Sequence, residues 1–282
     1  MLKFRYSLIL VLFVVFSSCK QEKQDNSFIS TQIKSSKDKI GFLQIKIDTI
    51  FDSKQTISFL KVDKNALGRF KIDFIYNDTI RTKTSDLAKM GHAIGAVNGG
   101  FYNMDRGVSS TYFEENDSVI AYPINPDLKW GITDSLMNGA IVIAKDNKII
   151  IQPAKDESFY EESKDESAVL ITGPLLLQNS KKVELPNMKF VTTNHPRTFL
   201  CTTKDAIVFI TVDGRSEDSG GMSLFNAQDF LLNIGCVDAI NLDGGGSTTM
   251  WVKDKGVVSL PSDKEGERTV YNALIIVDTH EE

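Results

Sequence analysis

Strand-like runs recur along most of this chain, some mixing apolar and polar residues and others continuously apolar, and they predict a strand-rich fold. Residues 41–50 set Phe42, Leu43, Ile45, Ile47 and Ile50 among polar neighbours. Residues 56–62 and 70–76 repeat the pattern before a turn at Asn77-Asp78. Residues 140–143 and 148–152 flank Lys145-Asp146-Asn147 and read as a hairpin. Residues 197–203 and 206–212 read as another, around Lys204-Asp205. Residues 168–177 read as a strand interrupted at Gly173-Pro174, and residues 269–277 as a buried last strand. Pro126-Asp127 and Pro261-Ser262-Asp263 mark loops, and the acidic stretch 156–166 reads as an exposed loop.

A helical period shows in two short places. Residues 84–90 precede Gly91, with Ser85 as the expected N-cap. Residues 224–234 follow Ser223 and precede Gly235, with Leu224, Ala227, Leu231 and Ile234 on one face. A small-residue strand follows each helix and runs into glycines. One ends in Asn98-Gly99-Gly100, the other in Asn241-Leu242-Asp243-Gly244-Gly245-Gly246-Ser247-Thr248. The expected fold is α+β, with mixed, largely antiparallel sheets and a few helices. Its site is expected at the glycine-ended strand termini.

The N-terminus has a different character. Lys3 and Arg5 precede an apolar run at 8–16, too short to span a bilayer as a helix, and Ser17-Ser18-Cys19 follows. Residues 1–18 read as a bacterial lipoprotein signal, with Cys19 as the acylated first residue of the mature chain. Residues 19–39 read as a lipidated cysteine and polar tether, and residues 40–282 as the domain. This places the protein in a bacterial cell envelope, anchored to a membrane by lipid. Cys201 and Cys236 remain; such a compartment permits a disulfide between them, but their apolar surroundings favour two buried thiols.

Composition adds little: 41% of the 282 residues are hydrophobic and 24% charged, which is ordinary for a globular domain. The net charge of −5 supplies no basic footprint for nucleic acid.

The candidate chemistry sits at strand ends. Asp213 and Asp243 are the carboxylates suited to acid–base or nucleophilic work. Arg197 and Arg215 are candidate anion clamps, because the guanidinium fork meets two oxygens at once. Gly244, Gly245 and Gly246 can bring main-chain N–H groups to an anion. Asp213, Asn241 and Asp243 offer oxygen ligands of the kind that bind Ca²⁺ or Mg²⁺, but nothing demands a metal and no cofactor is required.

Taken together, Asn98-Gly99-Gly100-Phe101, His195-Pro196-Arg197-Thr198, Thr211-Val212-Asp213-Gly214-Arg215, residues 241–250 and residues 261–274 resemble the phosphodiester glycosidase family. The resemblance spans residues 93–277. Two places depart from it: Phe199-Leu200-Cys201 is bulkier than the expected small residues, and Thr269 and Tyr271 stand where proline and alanine are expected. The resemblance implies a hydrolase that cleaves a sugar-1-phosphodiester on the sugar side, releasing free sugar and a phosphomonoester. Asp243, then Asp213, would be catalytic. Asn98, Gly99, Gly100, Arg197, Arg215, Asn241, Gly244, Gly245, Ser247, Thr248, Glu267 and Arg268 would bind the glycan or sugar-phosphate substrate. Two alternatives stay open: a tethered glycan-binding lipoprotein without turnover, and a serine hydrolase using Ser247. Against the latter, Thr249 replaces the second glycine of a nucleophile elbow.

Overall fold

The computed structural model describes residues 39–124, 133 and 135–280. The signal, Cys19, the tether up to residue 38 and the Pro126-Asp127 loop lie outside the described residues. Among the described residues every strand pairing is antiparallel. Four helices accompany them: α1 (Thr84–Met90), α2 (Glu157–Glu162), α3 (Lys189–Thr192) and α4 (Leu224–Asn233). No helix among the described residues is long and apolar enough to cross a membrane.

The largest sheet has seven strands in the order Ile40–Ile50, Ser53–Asp63, Ala206–Val212, Arg197–Thr202, Asp238–Asn241, Leu175–Gln178 and Lys181–Lys182. Both faces of its central strands are buried. On the Ala206–Val212 strand, Ile207 and Phe209 enter one core with Leu60, Leu200 and Ile240. Val208, Ile210 and Val212 enter the other, which α4 covers with Leu224, Ala227, Phe230 and Leu231. Burying each such side chain stabilises by roughly 1.5–3 kcal/mol. Two-sided burial explains why this strand reads as a continuous apolar run.

A five-stranded sheet carries Gly95–Asn98 between Met250–Val252 and Asn272–Asp278, with Phe70–Tyr76 beyond. The three front strands therefore do not form one sheet. The first two extend the seven-stranded sheet, and the third pairs with the end of the chain. Another five-stranded sheet contains Glu166–Thr172, whereas Leu175–Gln178 belongs to the seven-stranded one. The interruption at Gly173 is thus a crossing between sheets. A Cβ there would strike the Leu136 carbonyl oxygen, which is why glycine occupies it.

Three expectations need correction. The acidic stretch forms α2 because Tyr160, 1% exposed, anchors it against Tyr112 with ring centroids 6.0 Å apart. Ser85 lies inside α1, whose cap position is Lys83. Cys201 and Cys236 are not free thiols: they form a disulfide, with Cα atoms 5.8 Å apart, tying a central strand to the end of α4. Folding, not spacing, brings these two cysteines together across 35 residues. Ser223 caps α4 as expected, its hydroxyl accepting from the Asn226 N–H at 3.2 Å.

Candidate active site

The two glycine-ended strands belong to different sheets, and their ends are laced together. Asn98 Nδ2 donates to the Asp243 carbonyl at 2.6 Å, and the Asp243 N–H donates to the Gly99 carbonyl at 3.0 Å. Asn98 Oδ1 accepts from Thr198 Oγ1 at 2.7 Å and from the Thr249 N–H at 3.1 Å. A single buried amide therefore joins three segments and sets where Asp243 leaves its strand.

Asp243 opens into a cleft of about 190 Å³ lined by Phe190, His195, Arg197, Arg215, Gly244, Gly245, Gly246 and Arg268. Burial pushes its carboxyl up to about 6, against the lowering influence of Ser247, Arg268 and the Gly244 N–H, which donates to Oδ1 at 2.9 Å. Ser247 Oγ is close enough to affect the carboxylate, yet it lies beyond a formal hydrogen bond and has no partner. The carboxylate near it is Asp243 itself, and no base is hydrogen-bonded to its hydroxyl, so this geometry gives the serine-nucleophile reading no support.

The arginines differ in kind. Arg197 is 1% exposed and makes no ion pair among the described residues. Its Nε donates to the Met222 carbonyl at 2.9 Å, and Nη2 to the carbonyls of Phe190 (2.7 Å) and Thr193 (3.0 Å). Desolvation, then Arg215, pushes its guanidinium down to about 9, so it stays charged at neutral pH. Arg215 is exposed and holds a left-handed backbone at φ 60°. It reaches Ser262 Oγ at 3.4 Å and His195 Nδ1 at 3.5 Å. Burial and the two arginines lower the His195 pKa, so its imidazole is neutral at pH 7. Arg268 is held by Asp263 at 2.7 Å. The glycines make this crowding feasible: a Cβ at Gly245 would stand 3.1 Å from Arg215 Nη2, and one at Gly246 would strike Arg268.

Most of the other residues singled out from the sequence spend their polar groups on protein rather than on the cleft. Asn98, Gly99 and Gly100 serve the junction, with Asn272 Oδ1 accepting the Gly100 N–H at 2.9 Å. The Gly244 and Gly245 amides are taken by Asp243 Oδ1 and the Pro196 carbonyl, so these two do not form the expected anion nest. Asn241 Nδ2 donates to the carbonyls of Gly173 and Leu242. Thr248 is buried with an unpartnered hydroxyl. Asp213 is 4% exposed, and its Oδ1 accepts from the Leu260 N–H at 3.0 Å. Burial raises its carboxyl to about 6. It anchors the segment that carries Ser262 and Asp263. Glu267 accepts from the Ser85 N–H (2.7 Å) and Oγ (2.6 Å), binding the start of α1. The candidate metal set Asp213, Asn241 and Asp243 is therefore spread over three separate roles. Among the described residues no group of three or more His, Cys, Asp and Glu is placed to hold a metal.

Sequence reasoning missed Phe190 and Asp263. Phe190 enters from α3, where no glycine or motif marks it; its ring lies 5.0 Å from the Arg197 guanidinium and 5.9 Å from Phe101. Asp263 lay in a loop that belongs to the family resemblance, but it was not singled out as a site residue.

A buried arginine without a protein counter-ion and a carboxylate of raised pKa line one cleft, which makes it the candidate active site. A family model described as phosphodiester glycosidase matches residues 91–277, and the chain belongs to that family, a family of hydrolases. The human N-acetylglucosamine-1-phosphodiester alpha-N-acetylglucosaminidase is 25% identical over 198 residues, 65% of this chain and 36% of that protein. The SPbeta prophage-derived uncharacterized protein YomE of Bacillus subtilis (strain 168) is 33% identical over 108 residues, 37% of this chain and 16% of that protein. The chain thus spans well under half the length of either relative. The fold resembles the zebrafish N-acetylglucosamine-1-phosphodiester alpha-N-acetylglucosaminidase catalytic domain auto-inhibited by pro-peptide. The TM-score is 0.65 at 19% identity, over 86% of this chain and 85% of that one. A hypothetical protein from Synechocystis matches with TM-score 0.60 at 14% identity, over 84% and 62%.

Proposed function

We propose that this domain hydrolyses a sugar-1-phosphodiester on the sugar side, releasing free sugar and a phosphomonoester. The observation that carries the reading is Arg197, a buried cation without a protein counter-ion, lining the same cleft as Asp243. A phosphodiester is the anion such a cleft favours. A phosphate leaving group is weakly basic, so neutralisation by Arg197, Arg215 and Arg268 can replace much of a general acid. The remaining need is a base or nucleophile at the anomeric carbon. With a pKa of about 6, Asp243 is mostly ionised at neutral pH and fits that role. Asp213, engaged with Leu260, fits a positioning role instead. No step in this scheme needs a metal or cofactor. A tether at lipidated Cys19 would hold the domain at an envelope membrane.

The test is the purified soluble domain against a panel of sugar-1-phosphodiesters, with Asp243→Asn alongside. Turnover releasing sugar and phosphomonoester, lost by about 10²–10⁴-fold in the variant, is the expected result. A domain that binds these compounds without turnover would instead support the glycan-binding alternative.

A further inference from the structure

A second cavity, of about 770 Å³, opens beside the catalytic cleft. Arg81, Arg106, Tyr76, Tyr271, Thr269 and the loop around Gly107 line it. It adjoins the cleft at two points. Arg268 lines the cleft, and the next residue, Thr269, lines the cavity. Tyr102 stands between them: the Arg81 guanidinium lies 5.4 Å from its ring centre, and its phenol feels the charges of Asp243 and Arg268.

Two arginines, Arg81 and Arg106, and one carboxylate, Asp78, line the cavity, and the charges of Asp78 and Glu115 act on Tyr76. Neither Arg81 nor Arg106 forms an ion pair among the described residues. Asp78 is the carboxylate on its wall, and its Oδ1 accepts from Thr79 Oγ1 at 3.1 Å rather than from an arginine. Arg81 packs against the turn that carries Arg106. A Cβ at Gly107 would stand 4.0 Å from Arg81 Nε, and Asn103 Oδ1 fixes the same turn by accepting the Arg106 N–H at 2.9 Å. The lining also has apolar surface: Tyr76 and Tyr271 stack with centroids 6.0 Å apart, and Ile80 and Val108 are exposed.

Size supplies an independent argument. A cleft of about 190 Å³ falls below the roughly 300–1,000 Å³ typical of a small-molecule site, so it suits the sugar phosphate but not a large aglycone as well. The adjoining cavity has the needed room. Thr269 and Tyr271, which stand where the family resemblance implies proline and alanine, both line it.

We propose that this cavity is the aglycone subsite, and that it selects an aglycone carrying a second anionic group, a phosphate or a carboxylate, for Arg81 and Arg106. The tyrosine pair packs against the carbon skeleton between the two charges. The proposal rests on the phosphodiester glycosidase reading above and extends it.

The experiment compares three sugar-1-phosphodiesters with one sugar and aglycones alike except for a terminal hydroxyl, carboxylate or phosphate. Wild type, Arg106→Gln and Arg81→Gln/Arg106→Gln are assayed, with thermal melting to confirm folding. Charge-assisted hydrogen bonds of this kind correspond to at least about a tenfold effect. Wild type is expected to favour one or both charged aglycones by at least that factor in kcat/KM. The ratio of charged to neutral should fall toward one in the variants and in high salt. Carboxylate and phosphate arms distinguish the two anion sources. Equal turnover of all three compounds by wild type overturns the subsite while leaving the glycosidase reading intact. If none is turned over, that reading fails, and calorimetry of the released-type phosphomonoester products decides the subsite separately. Tighter binding of the doubly anionic product by wild type than by Arg106→Gln supports it, and equal binding overturns it.

Discussion

The side-chain amide of Asn98 donates to the main-chain carbonyl of Asp243 at 2.6 Å, joining the ends of two strands that lie 145 residues apart in the chain. This bond, with the two that Asn98 Oδ1 accepts, fixes the backbone from which the reactive carboxylate projects. Asn98→Ala is expected to destabilise by about 2–4 kcal/mol, because buried partners lose their hydrogen bonds. Asn98→Asp should be worse, since a carboxylate would face the Asp243 carbonyl without a proton to donate. Urea unfolding of the three proteins measures both effects.

Activity should report the ionisation of Asp243. With its carboxyl raised to about 6, kcat/KM should climb as pH passes from 5 to 7 and the base form accumulates. Asp213→Asn should keep that acid limb and Asp243→Asn should not, leaving residual activity without it. A pH–rate profile in which Asp213→Asn removes the limb would transfer the assignment to Asp213.

Asp213 has a stability consequence of definite sign. Its folded pKa of about 6 exceeds an unfolded value of about 3.9, so the folded state holds the proton more tightly. That contribution is fully present below about pH 4 and is lost as pH rises through about 6, a difference on the order of 3 kcal/mol. Asparagine retains an oxygen for the Leu260 N–H and has no charge to bury. Asp213→Asn should therefore be more stable than wild type at pH 7.5, with the gap closing toward pH 4 in parallel denaturation curves.

The two motif arginines should separate folding from binding. Arg215 is exposed, and its side-chain contacts are long, so Arg215→Ala should melt as wild type does and lose at least about tenfold in phosphodiester turnover. Arg197→Ala would leave the carbonyls of Met222, Phe190 and Thr193 without their donor, and should cost several kcal/mol of stability as well as activity. Thermal melting beside kinetics checks the contrast.

Cys19→Ala should abolish acylation and leave unprocessed or mislocalised precursor. Mass spectrometry of the mature N-terminus is the check, and a lipid-free terminus at another residue would rule out the anchor.

Local pattern along the chain determined most of the longer elements. The strand-like runs became strands close to their expected bounds, Ser223 capped α4, and the glycine-ended strands marked where Asp243, Arg197, Arg215 and Arg268 meet. These features are set by near neighbours, so they can be read residue by residue. Tertiary structure alone decided what each polar group faces. Asp213 and Asp243 both follow strands, yet one binds the Leu260 amide and the other lines the cleft. Glu267 and Arg268 are adjacent, yet one secures α1 and the other enters the site. Phe190, the disulfide partners and the pairing of front strands with distant ones are likewise contacts across long separations. The physical reason is that a side chain's role depends on which acceptors, donors and charges folding brings within a few ångströms, and the order of residues does not contain those distances.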